Sequence, residues 1–142
     1  MEINKDMILA KNSLLGHTIA VCKDSDILIS DKKGIQPMID FIDSGINLNG
    51  YSVADMVVGK AVAMLFVKVG IKEVFAKTMS SQAISILEKH NIPYSYDIRT
   101  ENIINHKGDG LCPMEQAVIN TDNIEQGYKL IKNKLFELKN KV

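Results

Sequence analysis

The run from Val53 to Gly70, VADMVVGKAVAMLFVKVG, constrains the chain more than any other stretch. It is long enough to cross a bilayer, but Asp55, Lys60 and Lys68 interrupt it, and charges at mid-membrane depth are costly. Its apolar residues occupy nearly every face of a helix, so it must be buried on all sides. The pattern predicts one central helix from Ser52 to Lys68 or Val69, with Gly70 as a left-handed cap. A chain of 142 residues can surround such an element, burying about two thirds of its unfolded surface in one domain over 1–142.

Composition narrows the function classes. With 46% hydrophobic and 24% charged residues, disordered and fibrous classes are excluded. The 17 basic residues are balanced by 17 acidic ones, which removes the counterion-release drive for nucleic acid, so no such partner is expected. Cys22 and Cys112 form no CxxC and fit neither a disulfide framework nor a zinc knuckle. Reduced thiols in the cytoplasm are the expectation. The start MEINKDMILAKNS alternates charge with apolar residues, unlike a secretory leader, so neither export nor a membrane is expected.

Around the central helix, other elements follow from spacing. Ile3, Met7, Ile8 and Ala10 or Lys11 predict a first helix over 3–12, broken by Gly16. His17–Cys22 and Ile27–Ser30 predict a hairpin closed by a polar turn. Pro37 opens a short helix ending at Gly45. Strand Val74–Lys77, a helix capped by Ser80 or Ser81 and running through Leu87 to His90, and strand Tyr94–Arg99 give a βαβ rhythm. Ile103–Asn105 reads as a short strand, Cys112-Pro113 as the start of a helical turn, and Asn123–Lys139 as an amphipathic helix burying Ile124, Tyr128, Ile131, Leu135 and Leu138. Together they predict a three-layer α/β/α sandwich around a mixed sheet.

Several residues invite chemistry. Asp55 stands three residues after Ser52, the spacing of a capping box, yet it is also a lone carboxylate in an apolar run, suited to a base or ligand anchor. Lys60 sits among valines and needs a partner other than Asp55, which lies about 140° away around a helix. Gly59 beside it implies close approach of another backbone or a second subunit. Ser80 and Ser81 are caps that also suit an anion. In GDGLCPME, Cys112 precedes a first-turn proline as N-cap, where a thiolate is favoured; His106 and Glu115 are candidates for its base and orienting acid. Cys22 reads as core, His90 as a helix-end cap, and Tyr94 and Tyr96 as one strand face.

The runs GIQPMIDFID, SVADMVVGKAVAML, VFAKTMSSQAISILEKHNIPYSY and ENIINHKGDGLCPME resemble a bacterial family of unassigned function with a cytidine-deaminase-like fold. The resemblance covers nearly the whole chain and implies a helix, a hairpin, a helix whose first turn faces the site, a strand, and a second site-facing helix. In zinc deaminases those two starts carry a His or Cys with a Glu, then Pro-Cys-x-x-Cys. Here they read as Ser52-Val53-Ala54-Asp55 and Thr78-Met79-Ser80-Ser81, so no metal and no cofactor is expected. The resulting expectation is zinc-independent binding of a small nucleotide-like or anionic metabolite near Asp55, Lys60, Ser80, Ser81, Asn105, His106, Cys112 and Glu115. Group transfer or hydrolysis would use Asp55 or Glu115 as base and Cys112 as nucleophile. The rival from another class is a non-catalytic sensor or homo-oligomeric interaction protein using Gly59, Lys60 and the apolar helix.

Overall fold

In a computed structural model, which describes residues 4–140, β-branched runs build the sheet first. Ile19–Lys23 (β1) and Asp26–Ser30 (β2) pair antiparallel, with Val21 opposite Leu28. Asp24 and Ser25 both have positive φ, 48° and 75°, which matches the right-handed strand twist in a two-residue hairpin. Ser52–Val58 (β3) pairs antiparallel with β1; Glu73–Ser80 (β4) and Tyr94–Thr100 (β5) extend it in parallel. The mixed five-stranded order is β2-β1-β3-β4-β5.

Lys5–Ser13 (α1) covers one sheet face with Met7, Ala10 and Leu14 against Ala20, Cys22, Ala54 and Phe75. The expected helix start at Ile3 lies outside the described residues, and Ile8 is exposed rather than on the buried stripe. Gln36–Asp43 (α2), Lys60–Val69 (α3), Ser81–Lys89 (α4), Pro113–Ala117 (α5) and Ile124–Lys139 (α6) pack the opposite side. The α/β/α layering is therefore as expected. Gly127 of α6 lies where a Cβ would meet Met64 of α3, so its lack of a side chain lets those helices approach.

The central apolar run departs from the predicted single helix. Ser52–Val58 is strand, Gly59 is the turn, and only Lys60–Val69 is helix, ended by Gly70 at φ 80°. A strand buried between two layers reads as a continuous apolar run, as a buried helix does, so periodicity does not separate them. Hence no capping box joins Ser52 and Asp55. The expected strand Ile103–Asn105 is a single bridge, Ile104 to Leu111, and Leu138 stays 39% exposed rather than joining the buried stripe. No described helix is long and apolar enough to cross a membrane.

Candidate functional site

β3 brings Asp55, its fourth residue, to the wall of a cavity of about 270 Å³ that Met56, Val57 and Gly59 at the strand's carboxyl end also line. The cavity lies between the starts of α2 and α3, lined there by Gly34, Ile35, Pro37, Gly59, Ala61 and Val62. The two helix starts facing it thus lie elsewhere than expected: Ser52–Asp55 is strand, and Ser80 and Ser81 open α4 away from the lining. The carboxyl-end position suits a ligand, because parallel strands leave a crevice beyond their C-termini.

Asp55 is 7% exposed and has no ion pair among the described residues. Burial pushes its carboxyl up to about 8, opposed by backbone N–H groups of Val57 and Met56. Glu115, brought by α5, lines the same cavity. Its Oε1 accepts from the Lys60 N–H at 2.7 Å and its Oε2 from the Ala61 N–H at 2.8 Å. It thereby caps α3, whose own N-cap is a glycine without a side chain. Burial raises its carboxyl above the usual range, opposed by those N–H groups and the Lys60 charge.

Gly59 explains itself here. A Cβ there would lie 2.3 Å from Glu115 Oε1 and 2.8 Å from Ile103 Cγ1. The close approach is made by side chains of the same chain, not by a backbone or second subunit. Lys60 finds its separate partner in Asp122, 3.0 Å away, which Lys89 also approaches at 3.7 Å.

Cys112 caps α5 without a side-chain hydrogen bond and lines the cavity half-buried. His106 is exposed on the preceding turn and does not line the cavity. Asn105 braces that turn, its side chain donating to Asp109 at 3.0 Å and accepting from the Asp109 N–H at 3.3 Å. Ser80 accepts from the Ala83 N–H at 3.1 Å, and Ser81 accepts from Arg99 Nε at 3.2 Å. Cys22 is buried under α1, His90 caps the end of α4, and the Tyr94 and Tyr96 rings stack 6.4 Å apart.

The sequence reading missed the basic turn Lys32-Lys33-Gly34, which also lines the cavity. Thr18 Oγ1 donates to Ser30 O at 2.9 Å and to Lys32 O at 2.6 Å, pinning the turn. Lys32 is paired with Asp40 at 2.7 Å, whereas Lys33 has no ion pair among the described residues. The available signal was two lysines before a positive-φ glycine and a helix-opening proline.

With this geometry, comparison with known proteins decides affiliation. The model of TM1506, domain of unknown function (DUF1893), matches residues 6–135. The chain belongs to this family. The DUF1893 family protein of Thermotoga maritima matches with a TM-score of 0.80 and 21% identity, covering 96% of this chain and 92% of that one, so the fold is shared. A dCMP deaminase of cyanophage S-TIM5 in apo form matches at 0.49 with 12% identity, over 68% of this chain and 99% of its own. A diaminohydroxyphosphoribosylaminopyrimidine deaminase/5-amino-6-(5-phosphoribosylamino)uracil reductase of Thermotoga maritima matches at 0.44 with 15% identity, over 64% of this chain and 35% of its own. No curated protein matches.

The zinc of true deaminases does not fit the residues present. The cavity-facing starts read Gly34-Ile35-Gln36-Pro37 and Gly59-Lys60-Ala61-Val62, with no thiolate, imidazole or carboxylate in either. Among the described residues, no three His, Cys, Asp or Glu side chains gather as a metal set.

Proposed function

We propose that this DUF1893 chain binds a small nucleotide-like or other anionic metabolite in the cavity beside Asp55 and acts on it by zinc-independent group transfer or hydrolysis. The carrying observation is Asp55 itself: a carboxyl 7% exposed, held near 8 and without a cationic partner among the described residues, on the wall of a cavity. At neutral pH such a group is mostly protonated, so it both donates and accepts and matches the amide or amidine edge of a nucleobase-like ring. A pKa near the working pH also suits proton transfer. The volume of about 270 Å³ lies just below the usual range for drug-sized ligands, so a ring fills it while an anionic substituent stays at the mouth near Lys33.

In this reading Asp55 moves the proton, Cys112 offers a thiol to the same space, and Glu115 positions α3. Native and then denaturing mass spectrometry of the purified protein, followed by calorimetric titration with bases, nucleosides and nucleoside monophosphates, tests it. A released small molecule or micromolar binding that Asp55→Asn weakens at least tenfold is expected. A ligand-free protein of defined oligomer mass that binds none of the series defeats the proposal and favours the homo-oligomeric interaction reading.

A further inference from the structure

Strand β2 closes the five-stranded sheet on one side, with β1 as its neighbour. The Ser30 carbonyl accepts from the Thr18 N–H at 3.0 Å, so Ser30 turns its backbone towards β1. In an antiparallel pair this direction alternates along the strand. Leu28 and Asp26 therefore bond inward too, while Ile27 and Ile29 aim their N–H and C=O groups away from the sheet. Their side chains lie opposite Cys22 and Ala20, on the face that α1 covers, and these two residues are 44% and 46% exposed. An open edge is ordinarily blunted by a charge or a proline. β5, which closes the other side, carries Asp97 and Arg99 within it, whereas the stretch Ile27-Leu28-Ile29 has neither device.

We infer that β2 is the pairing edge of a symmetric dimer, with a second copy of this chain as its partner. Antiparallel pairing about a two-fold axis at Leu28 sets Ile27 opposite the partner's Ile29, and Ile29 opposite the partner's Ile27. These are the residues whose backbone groups point outward. Each couple thus exchanges N–H and C=O in both directions, and the isoleucine side chains meet on one face. Asp26 falls opposite Ser30, so no two carboxylates confront each other across the axis. Beyond the strands, the same axis sets the partner's Asp24 opposite Lys32. Asp24 has no ion pair among the described residues, and Asp40 alone stands against the two charges of Lys32 and Lys33. A second copy supplies the missing carboxylate, once in each direction, which an unrelated strand offering only backbone bonds does not. Lys32 lies nearer the axis than Lys33, so the contact leaves Lys33 at the mouth of the cavity. Lys23, which falls opposite the partner's Lys33, is drawn inward to the Asn49 carbonyl at 3.1 Å. The inference stands apart from the ligand reading, since Asp55 takes no part in it.

Sedimentation velocity of the full chain across a concentration series, with hydrogen exchange on the same samples, tests this pairing. A dimer of twice the chain mass in exchange with monomer is expected, with the Ile27 and Ile29 amides protected in step with the dimer fraction. Ile29→Lys, at an exposed position, is expected to weaken association at least tenfold without lowering the thermal stability of the monomer. Ile29→Pro removes an N–H that β1 does not use and is expected to act in the same way. A protein that stays monomeric throughout, a dimer that neither substitution weakens, or fast exchange of both amides in dimeric samples overturns the inference. Ligand binding by the monomeric Ile29→Lys protein leaves the Asp55 reading intact, so failure here and failure of that reading are separate results.

Discussion

The starts of α3 and α4 are built from the same parts to opposite ends. Each follows the carboxyl end of a parallel strand. α4 is closed locally: Ser80, fully buried, accepts from the N–H three residues on at 3.1 Å. α3 begins at a glycine and is closed by a carboxylate from 55 residues further along the chain. A self-capped helix start needs nothing from elsewhere and offers a ligand little. One closed from a distance needs space above it, depends on a second element, and stands beside the cavity.

Breaking the α3 arrangement is expected to have the larger effects. The first concerns Asp55, which leads into α3 and faces Ala76 on β4, a position with no charge to bury. Its folded pKa of about 8 lies above the unfolded value of about 3.9. Below about pH 4 both states hold the proton; as pH rises to 8 the unfolded chain ionises while the folded one does not, so stability falls across that window and levels off above it. Asp55→Asn is therefore expected to match wild type near pH 3.5 and exceed it by a few kcal/mol at pH 8.5. Thermal unfolding of both proteins against pH checks this, and a constant difference across the range contradicts it.

Gly59→Ala comes next. Its Cβ would collide with Glu115 and Ile103, so an overpacking cost of about 1–3 kcal/mol is expected in denaturant melts. Pairing it with Glu115→Ala should recover part of the loss, because the obstructing carboxylate is gone. The corresponding break in α4, Ser80→Ala, is expected to cost about 1 kcal/mol, the worth of a local cap, and to leave ligand binding in the Asp55 cavity unchanged. Ser81→Ala should shift stability by no more than about 0.5 kcal/mol, since its hydroxyl is only part-buried and bonds at 3.2–3.4 Å. A larger binding defect from Ser81→Ala than from Asp55→Asn would erase the contrast between the two helix starts.

Much of the local structure was legible. Of the two candidate caps Ser80 is the one used, the last helix starts at Asn123, Gly70 ends one helix, Pro37 opens one, and the 17–30 hairpin forms where polar residues interrupt β-rich runs. Each rests on chemistry within a few residues. The site was legible only in its ingredients. Asp55, Cys112 and Glu115 do line one cavity, while Asn105, His106, Ser80 and Ser81 lie outside its lining and Lys60 lines a separate, smaller pocket. Lys33 was overlooked because a lysine in a turn is ordinary until something hollow lies beside it.

The sequence by itself determined that Ser52–Val69 is largely core, although Met56 and Val57 are exposed, that Lys60 needs a distant partner, and that Gly59 admits a close neighbour. Apolarity, a stranded charge and a missing Cβ are properties of the residues alone. Only the tertiary structure decided that the first seven residues of the run are strand, that the partner is Asp122, and that the neighbour is the carboxylate of Glu115. Burial on all sides satisfies strand and helix alike, so the choice falls to the neighbouring strands β1 and β4, whose backbone hydrogen bonds claim Ser52–Val58 for the sheet.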